Sequence, residues 1–493
     1  MSNKSISATA THPSPWSRFR QPRAWLGVLF LIYVTTAIWH LTKPLPDGLN
    51  ASFEPKAAQD VNLLIDATWI GPDGRQRQRT EIFERMLALI AQAERLIALE
   101  MFLLNDFAGA AGADHRPLSS LVVDAMIEKK QQRPDLHAVL VIDPFNRLYG
   151  GVESALLDSA ESAGIEVIET RLTALPDSNP IWSGLWRLCC SYLGNSTNGW
   201  LPNPFGGDDL TLRSYLRLLN FKANHRKALV VDNGSTWTGL VTTGNAHDAS
   251  SRHSNLGLEF SGAGAIDLLK TIEASARFSG TDPLLHQALE TGPDRSESAA
   301  RISVLTESAI RVALLRIIDG SLPGDRLDIA VFYLSHRRVV DAIAQAQARG
   351  VHLRLLLDPN AHAFGRKKDG VPNRQVALEL ARAGVPIRWC NTRGEQCHYK
   401  HLLHLPERGE ASLLVGSANY TRRNLDGFNL ETQALFLSQR DHPAMVQAKE
   451  FFDQRWTNDE GKRHSLPYPA YLDDSWLRYW RYRMMEASGL STF

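Results

Sequence analysis

The chain opens on an apolar block and then settles into segments of helical and strand periodicity. From Ala24 to Leu41 the run AWLGVLFLIYVTTAIWHL carries no charged residue. These eighteen residues, wound as a helix, extend about 27 Å, close to the roughly 30 Å hydrocarbon core of a bilayer. Trp25 near one end, and Trp39 with His40 near the other, suit the two interfaces. Lys4, Arg18, Arg20 and Arg23 precede the run without an acidic residue. The pattern predicts an uncleaved signal anchor over 24–41, because the run is long for a signal peptide and no small-x-small site follows it. Cations ahead of the span place residues 1–23 in the cytoplasm and 43–493 outside it. In a bacterium that is a single-pass inner-membrane protein with a periplasmic body.

Beyond a Pro- and Gly-containing connector the same order of elements occurs twice. Thr80-Glu81 opens a helix with Ile82, Phe83, Met86, Leu87 and Ile90 on one side, and Thr306-Glu307 opens another with Ile310, Ala313, Leu314 and Ile317. Each leads into an apolar strand, Ile97 to Leu104 and Ile329 to Leu334. A helix follows, with Val122-Val123-Asp124-Ala125 in one copy and Val339-Val340-Asp341-Ala342 in the other. A strand then ends in Asp-Pro both times, at Asp143-Pro144 and Asp358-Pro359. Alternating helices and buried strands predict an α/β fold of two pseudo-symmetric halves, each a mixed β-sheet flanked by helices. The halves fall at 60–279 and 301–460, joined by a connector over 280–300 and followed by a tail over 461–493.

Spacing locates one difference between them. Gly164 lies 61 residues before His225, whereas the corresponding Gly384 lies 14 before His398. An insert of 47 residues therefore falls between about 170 and 224 in the first half. It holds Trp182, Trp186, Trp200 and Phe205, and reads equally as a lipid-facing rim or as a small second core. The tail stretch Trp476 to Arg483, basic and aromatic, reads as an interfacial segment or as a helix packed on the body.

Composition changes this picture little. A net charge of +1 gives no global field for nucleic acid, although Arg213, Arg217, Lys222 and Arg226 supply cations for a local groove. Four cysteines are too few for a disulfide framework. Cys390 and Cys397 either close a short loop or stay reduced, and Cys189-Cys190 reads as packing.

The chemistry lies at Asn224-His225-Arg226-Lys227, ahead of the apolar run Ala228 to Val231 and Asp232. Residues i and i+2 of a strand share a face, so His225 and Lys227 can meet one ligand. His398-Tyr399-Lys400 repeats the pair. Gly244-Asn245 and Glu259 follow the first copy, and Gly416-Ser417-Ala418-Asn419 and Glu431 the second; histidine and glutamate are 34 residues apart in one and 33 in the other. His401 and His404 read as ordinary histidines with no metal ligand set assigned, while His247 and His253, lying between Asn245 and Glu259, either line the cleft or sit in a solvated loop.

This doubled arrangement resembles the phospholipase D superfamily, whose halves each contribute a His-x-Lys of the HKD motif to one active site. The resemblance implies His225 as nucleophile, His398 as general acid and base, and Lys227 and Lys400 as charge partners of a phosphate. Asn245, Ser417 and Asn419 are expected to bind substrate, and Glu259 and Glu431 to support the histidines. Asp232 completes the first motif, whereas Leu405 stands at the equivalent place in the second. No cofactor is implied. The expected activity is that of a phosphodiesterase or phosphatidyltransferase acting on phospholipid through a phosphohistidine, as in phospholipase D or the cardiolipin synthases. A nuclease outside the cytoplasm and a non-catalytic phospholipid-binding protein are the other readings. Oligomeric state is not legible.

Overall fold

The computed structural model describes residues 22–107, 115–193, 196, 198–283, 285, 299–363, 366–491 and 493. The cytoplasmic segment expected over 1–23, apart from its last two residues, and most of the connector expected over 280–300 lie outside the described residues.

Two mixed sheets carry the fold. In spatial order the first contains Gln76–Arg79, Gln59–Ile70, Asn255–Ser261, Trp237–Thr242, Lys227–Asp232, Leu96–Met101, His137–Ile142 and Glu166–Glu169. The second contains Lys56–Ala57, Arg301–Thr306, Thr432–Ser438, Ala411–Gly416, Lys400–Leu405, Arg326–Val331, His352–Leu357, Ile387–Cys390 and Ser465–Pro467. From Gln59–Ile70 and Arg301–Thr306 onward the two orders match strand for strand as far as Glu166–Glu169 and Ile387–Cys390. In each, the last three of these strands run parallel and the rest are antiparallel. The strand carrying each His-x-Lys lies at the junction of the two patterns.

Central strands such as Leu96–Met101 and Lys227–Asp232 are buried along their whole length, as expected of strands covered on both faces. One continuous core joins the halves: Leu256, Leu258 and Phe260 of the first sheet pack in the same cluster as Leu413, Val415 and Phe436 of the second. A further core lies on the outer side of each sheet. The halves also exchange edges. Lys56–Ala57, ahead of the first sheet in sequence, pairs with Arg301–Thr306 of the second, and Ser465–Pro467 extends the second sheet past residue 460.

The apolar block forms the helix Pro22–Thr42, with none of its residues buried. The insert contains the helices Pro180–Cys189 and Leu212–Leu218. The first of these packs on the anchor helix, where Gly184 lies so close that a Cβ would come within 2.9 Å of Ala37. The tail forms the helix Trp476–Ser488. It is docked by the fully buried Tyr482, which meets Arg337 at 3.0 Å, and by Glu486, which accepts from the Ser335 hydroxyl at 2.8 Å. Trp476, Leu477 and Trp480 remain exposed. All four cysteines are paired, Cys189 with Cys190 and Cys390 with Cys397. The adjacent pair is therefore not mere packing: it closes the C-terminal end of the helix Pro180–Cys189.

Candidate active site

The two His-x-Lys segments meet where the halves cross. Asn224 forms an isolated parallel bridge with Leu430, and Ser254 with Cys397. His225 N–H donates to the Leu430 carbonyl at 2.9 Å, and His398 N–H to the Ser254 carbonyl at 2.8 Å. Each histidine backbone is thus held by a segment of the opposite half. His225, Lys227 and Lys400 are all among the charges acting on His398, so the four basic groups lie near one another.

The immediate surroundings of the two histidines repeat with the pseudo-symmetry. Phe102 lies beside His225, ring centroids 4.9 Å apart, and Phe332 beside His398 at 5.1 Å. Lys227 Nζ stands 5.1 Å from the Phe102 centroid and Lys400 Nζ 5.5 Å from that of Phe332. Each ammonium also donates to the backbone carbonyl of its own histidine, at 2.6 Å and 3.1 Å. The side chains of Asn245 and Asn419 each keep a buried oxygen without a protein hydrogen bond. Two equivalent amides left open in this way are groups that a ligand would satisfy.

Behind the histidines the two halves differ in charge. His225 Nδ1 meets Glu431 Oε2 at 3.0 Å. Glu431 in turn accepts from Ser417 and from Asn424, and its own N–H donates to Glu307 at 3.0 Å. On the other side His398 Nδ1 meets Asn255 Oδ1 at 3.2 Å, and Thr243 Oγ1 donates to the same oxygen at 3.1 Å. Thr243 is therefore the counterpart of Ser417: each hydroxyl also accepts from a backbone N–H, that of Leu256 at 2.9 Å and of Thr432 at 3.0 Å. The relay is a carboxylate for His225 and a neutral amide for His398.

Several sequence expectations need correction. Glu259 reaches neither histidine; it forms a two-pronged ion pair with Arg85, both contacts 2.7 Å. Its near-equal spacing is coincidental, since the structural counterpart of Glu431 is Asn255 at the start of the matching strand. Ser417 is fully buried and its hydroxyl is committed to Glu431, so it supports a histidine from behind instead of binding substrate. Asp232 ends the strand that begins at Lys227, about 16 Å away at a strand's rise, where it pairs with Arg95 and caps the turn through Gly234 N–H at 2.8 Å. Leu405 occupies the same strand end in the second half and packs in the shared core. The basic groove is also absent as drawn. Lys222 is buried against Asp177, and Arg226 against Glu307 at 2.8 Å and Glu100 at 3.8 Å.

Of the other histidines, His247 is fixed by Ser250 Oγ at 2.9 Å and the Phe107 carbonyl at 2.6 Å. His404 pairs with Asp325 at 3.0 Å. His401 is buried against Phe451 and Phe452. His253 does stand near the cleft, its ring 6.0 Å from that of His398.

Sequence reasoning marked the Asp-Pro pairs as a repeat and missed what the aspartates do. Asp143 accepts from the Asn224 N–H at 2.6 Å, and Asp358 from the Cys397 N–H at 2.8 Å. Each fixes the residue just before a histidine. The identical Asp-Pro ending on the same strand of both halves was the available signal.

Burial dominates the electrostatics. It lowers His225 to about 4, Glu431 pulling the other way and Lys227 reinforcing the shift. His398 is pushed well below its usual range by burial and then by Lys400. Lys227 falls to about 7 through burial against the pull of Glu431, and Lys400 is driven down by burial and by Lys227. Burial pushes Glu431 up, but His225 and Lys227 outweigh it and hold the carboxyl below its ordinary value. Two imidazoles and two ammoniums taken out of water beside the single Glu431 carboxylate favour their neutral forms, and an anion entering the site reverses that preference.

The family model described as the cardiolipin synthase, phospholipase D-like domain matches residues 314–456. A search of curated proteins finds no match. Among solved structures the chain is similar to phosphatidylserine synthase of Haemophilus influenzae Rd KW20, with a TM-score of 0.53 and 11% identity over 93% of this chain and 99% of that one. Polyphosphate kinase of Porphyromonas gingivalis aligns with a TM-score of 0.42 and 13% identity, over 83% of this chain and 51% of the other. Nuc, a phospholipase D family member from Salmonella typhimurium, aligns with a TM-score of 0.26 and 17% identity, over 33% of this chain and 97% of the other. The second half thus matches the phospholipase D-like domain model over residues 314–456, and the chain shares the fold of the synthase along nearly its whole length.

Proposed function

We propose that the cleft is a phosphodiesterase or phosphatidyltransferase site for phospholipid, working through a phosphohistidine. The observation that carries this reading is the crossed support of the histidines, each held at Nδ1 by a residue of the other half. That contact leaves Nε2 of both rings for chemistry. His225 Nε2 attacks phosphorus as the bond to the leaving alcohol breaks, and His398 Nε2 gives that oxygen its proton. His398 then takes a proton from water or an alcohol, whose oxygen attacks phosphorus and breaks the N–P bond. Lys227 and Lys400 neutralise the non-bridging oxygens, to which the Nδ2 groups of Asn245 and Asn419 donate hydrogen bonds. The carboxylate behind His225 favours the cationic nitrogen of the intermediate. The neutral amide behind His398 suits a group that must release its proton.

Lipid is favoured over nucleic acid because the apolar anchor, the insert and the exposed tail aromatics lie on one body, while two of the four groove cations are buried in ion pairs. The body is assigned to the periplasm, a reading supported by two disulfides, which persist in an oxidising compartment. The test supplies the full chain in mixed micelles with labelled phosphatidylglycerol and, separately, single-stranded DNA. His225→Ala and His398→Ala should each lower lipid turnover by about 10³-fold or more, and added ethanol should yield phosphatidylethanol if transfer operates. Turnover unchanged in both variants would refute the mechanism; histidine-dependent cleavage of DNA alone would refute the lipid assignment.

A further inference from the structure

The insert contributes the helix Pro180–Cys189. It lies along the anchor helix, and its register shows how deep it sits. The Tyr33 hydroxyl donates to the Ile181 carbonyl at 2.9 Å, and Gly184 packs against Ala37 and Tyr33. At the other end Arg187 and Lys43 both donate to the Thr173 carbonyl, at 3.0 Å and 3.2 Å. The polar end of the insert helix is therefore level with the charged residue that follows the anchor, and its apolar end is level with Tyr33. Tyr33 stands nine positions before the anchor helix ends at Thr42, about 14 Å along its axis. That is close to the midplane of a hydrocarbon core roughly 30 Å thick.

Between the two helices runs a groove of about 630 Å³ whose walls include Tyr33, Ile181, Leu185, Leu219, Phe221 and Leu490. Asn179 stands at one end with its amide held by the Leu219 carbonyl at 2.9 Å. The outer rim is apolar and open: Ile181 and Leu185 are each about half exposed. A patch of this kind on a soluble surface would be a liability, but here one of its walls is the anchor itself.

We infer that this groove lies inside the bilayer and holds one acyl chain of a membrane lipid. The inference rests on the anchor helix crossing a membrane and is independent of the reaction assigned to the cleft. It is also the structural outcome of the asymmetry between the halves, since the second half has no corresponding insert. The insert helix enters the bilayer to half depth without crossing, with Leu219, Phe221 and Leu490 beside it at the groove. The backbone there stays satisfied because the segment is helical and packed on protein.

The test places photoreactive benzoylphenylalanine at Leu185, at Leu29 on the anchor and at Val312 on the second half. All three positions are exposed. The full chain is reconstituted in nanodiscs of phosphatidylethanolamine and phosphatidylglycerol, and lipid adducts are counted by mass spectrometry. Adducts at Leu185 and Leu29 should exceed those at Val312 at least tenfold. Leu219→Trp, which fills the groove, should lower the Leu185 adduct several-fold and leave that at Leu29 unchanged. Adducts at Leu29 without any at Leu185 overturn the inference and leave the anchor standing. A Leu185 adduct indifferent to Leu219→Trp places lipid on the helix but not in the groove, and overturns it too. Adducts at neither position overturn the anchor reading itself.

Discussion

Lys227 and Glu431 show how much a single buried group decides in this site. In the free cleft Lys227 sits near 7, far below its usual value near 10.4. A bound phosphate must raise it, so binding above pH 7 takes up a proton. Affinity for a non-hydrolysable phosphodiester should then fall as pH rises above 7, by up to about tenfold per unit for one such lysine. Calorimetry at pH 8 in buffers of different ionisation enthalpy should register the uptake; a buffer-independent heat would mean that Lys227 is already charged. Glu431 offers a second test, because the relay behind the other histidine ends in Asn255. Glu431→Gln should lower turnover by on the order of 10²-fold or more, since the histidine loses the group that orients it and stabilises its charge. Asn255→Asp should raise the pKa of His398, because a carboxylate favours imidazolium. The alkaline limb of the pH–rate profile would then move to higher pH while the protein stays folded; a profile that does not move would argue against His398 as the acid.

At the scale of the element, the strand that ends at Gly416 passes close beneath its neighbour. A Cβ there would lie 2.3 Å from the Thr432 carbonyl and 2.6 Å from Gln433 Cα, both backbone atoms. Neither can move without shifting the start of the strand that carries Glu431's relay. Gly416→Ala should therefore destabilise by about 1–3 kcal/mol, read as a lower denaturant midpoint, with activity falling as well. Gly244, the position read beside it in the first half, tolerates more: its Cβ would meet the Asn255 side chain at 3.4 Å, an ordinary contact. The Asp-Pro strands act at this scale too. Asp143 and Asp358 tie the parallel side of each sheet to the residue preceding each histidine, so that the spacing between sheet and motif is set by one side chain in each half.

For the whole molecule the two halves form one body, because the core runs between the sheets and the first half's Arg226 is buried against Glu307 of the second at 2.8 Å. Glu307 also accepts from the N–H of Glu431, which links that ion pair to the histidine relay. Topology is tested at this scale: an alkaline phosphatase fused after Phe493 should be active in intact cells if the body lies outside the cytoplasm, and a cytoplasmic body would leave it silent.

Periodicity and repetition determined a good deal without any coordinates. The alternating apolar segments specified two mixed sheets, because buried strands and amphipathic helices are written in local residue spacing. The paired His-x-Lys segments and the uncharged run were legible for the same reason: each is a contiguous signature. The crossed contacts were not. Which residue stands behind His225 or His398 depends on how the two halves dock, across sequence separations of 206 and 143 residues, and equal spacing along the chain pointed to Glu259 where docking selected Asn255. The burial that turns Asp232 into a strand-end cap, pairs Lys222 with Asp177 and lays the insert along the anchor helix was likewise decided only by tertiary packing. Sequence states what each segment wants to bury, while only the folded chain settles what it is buried against.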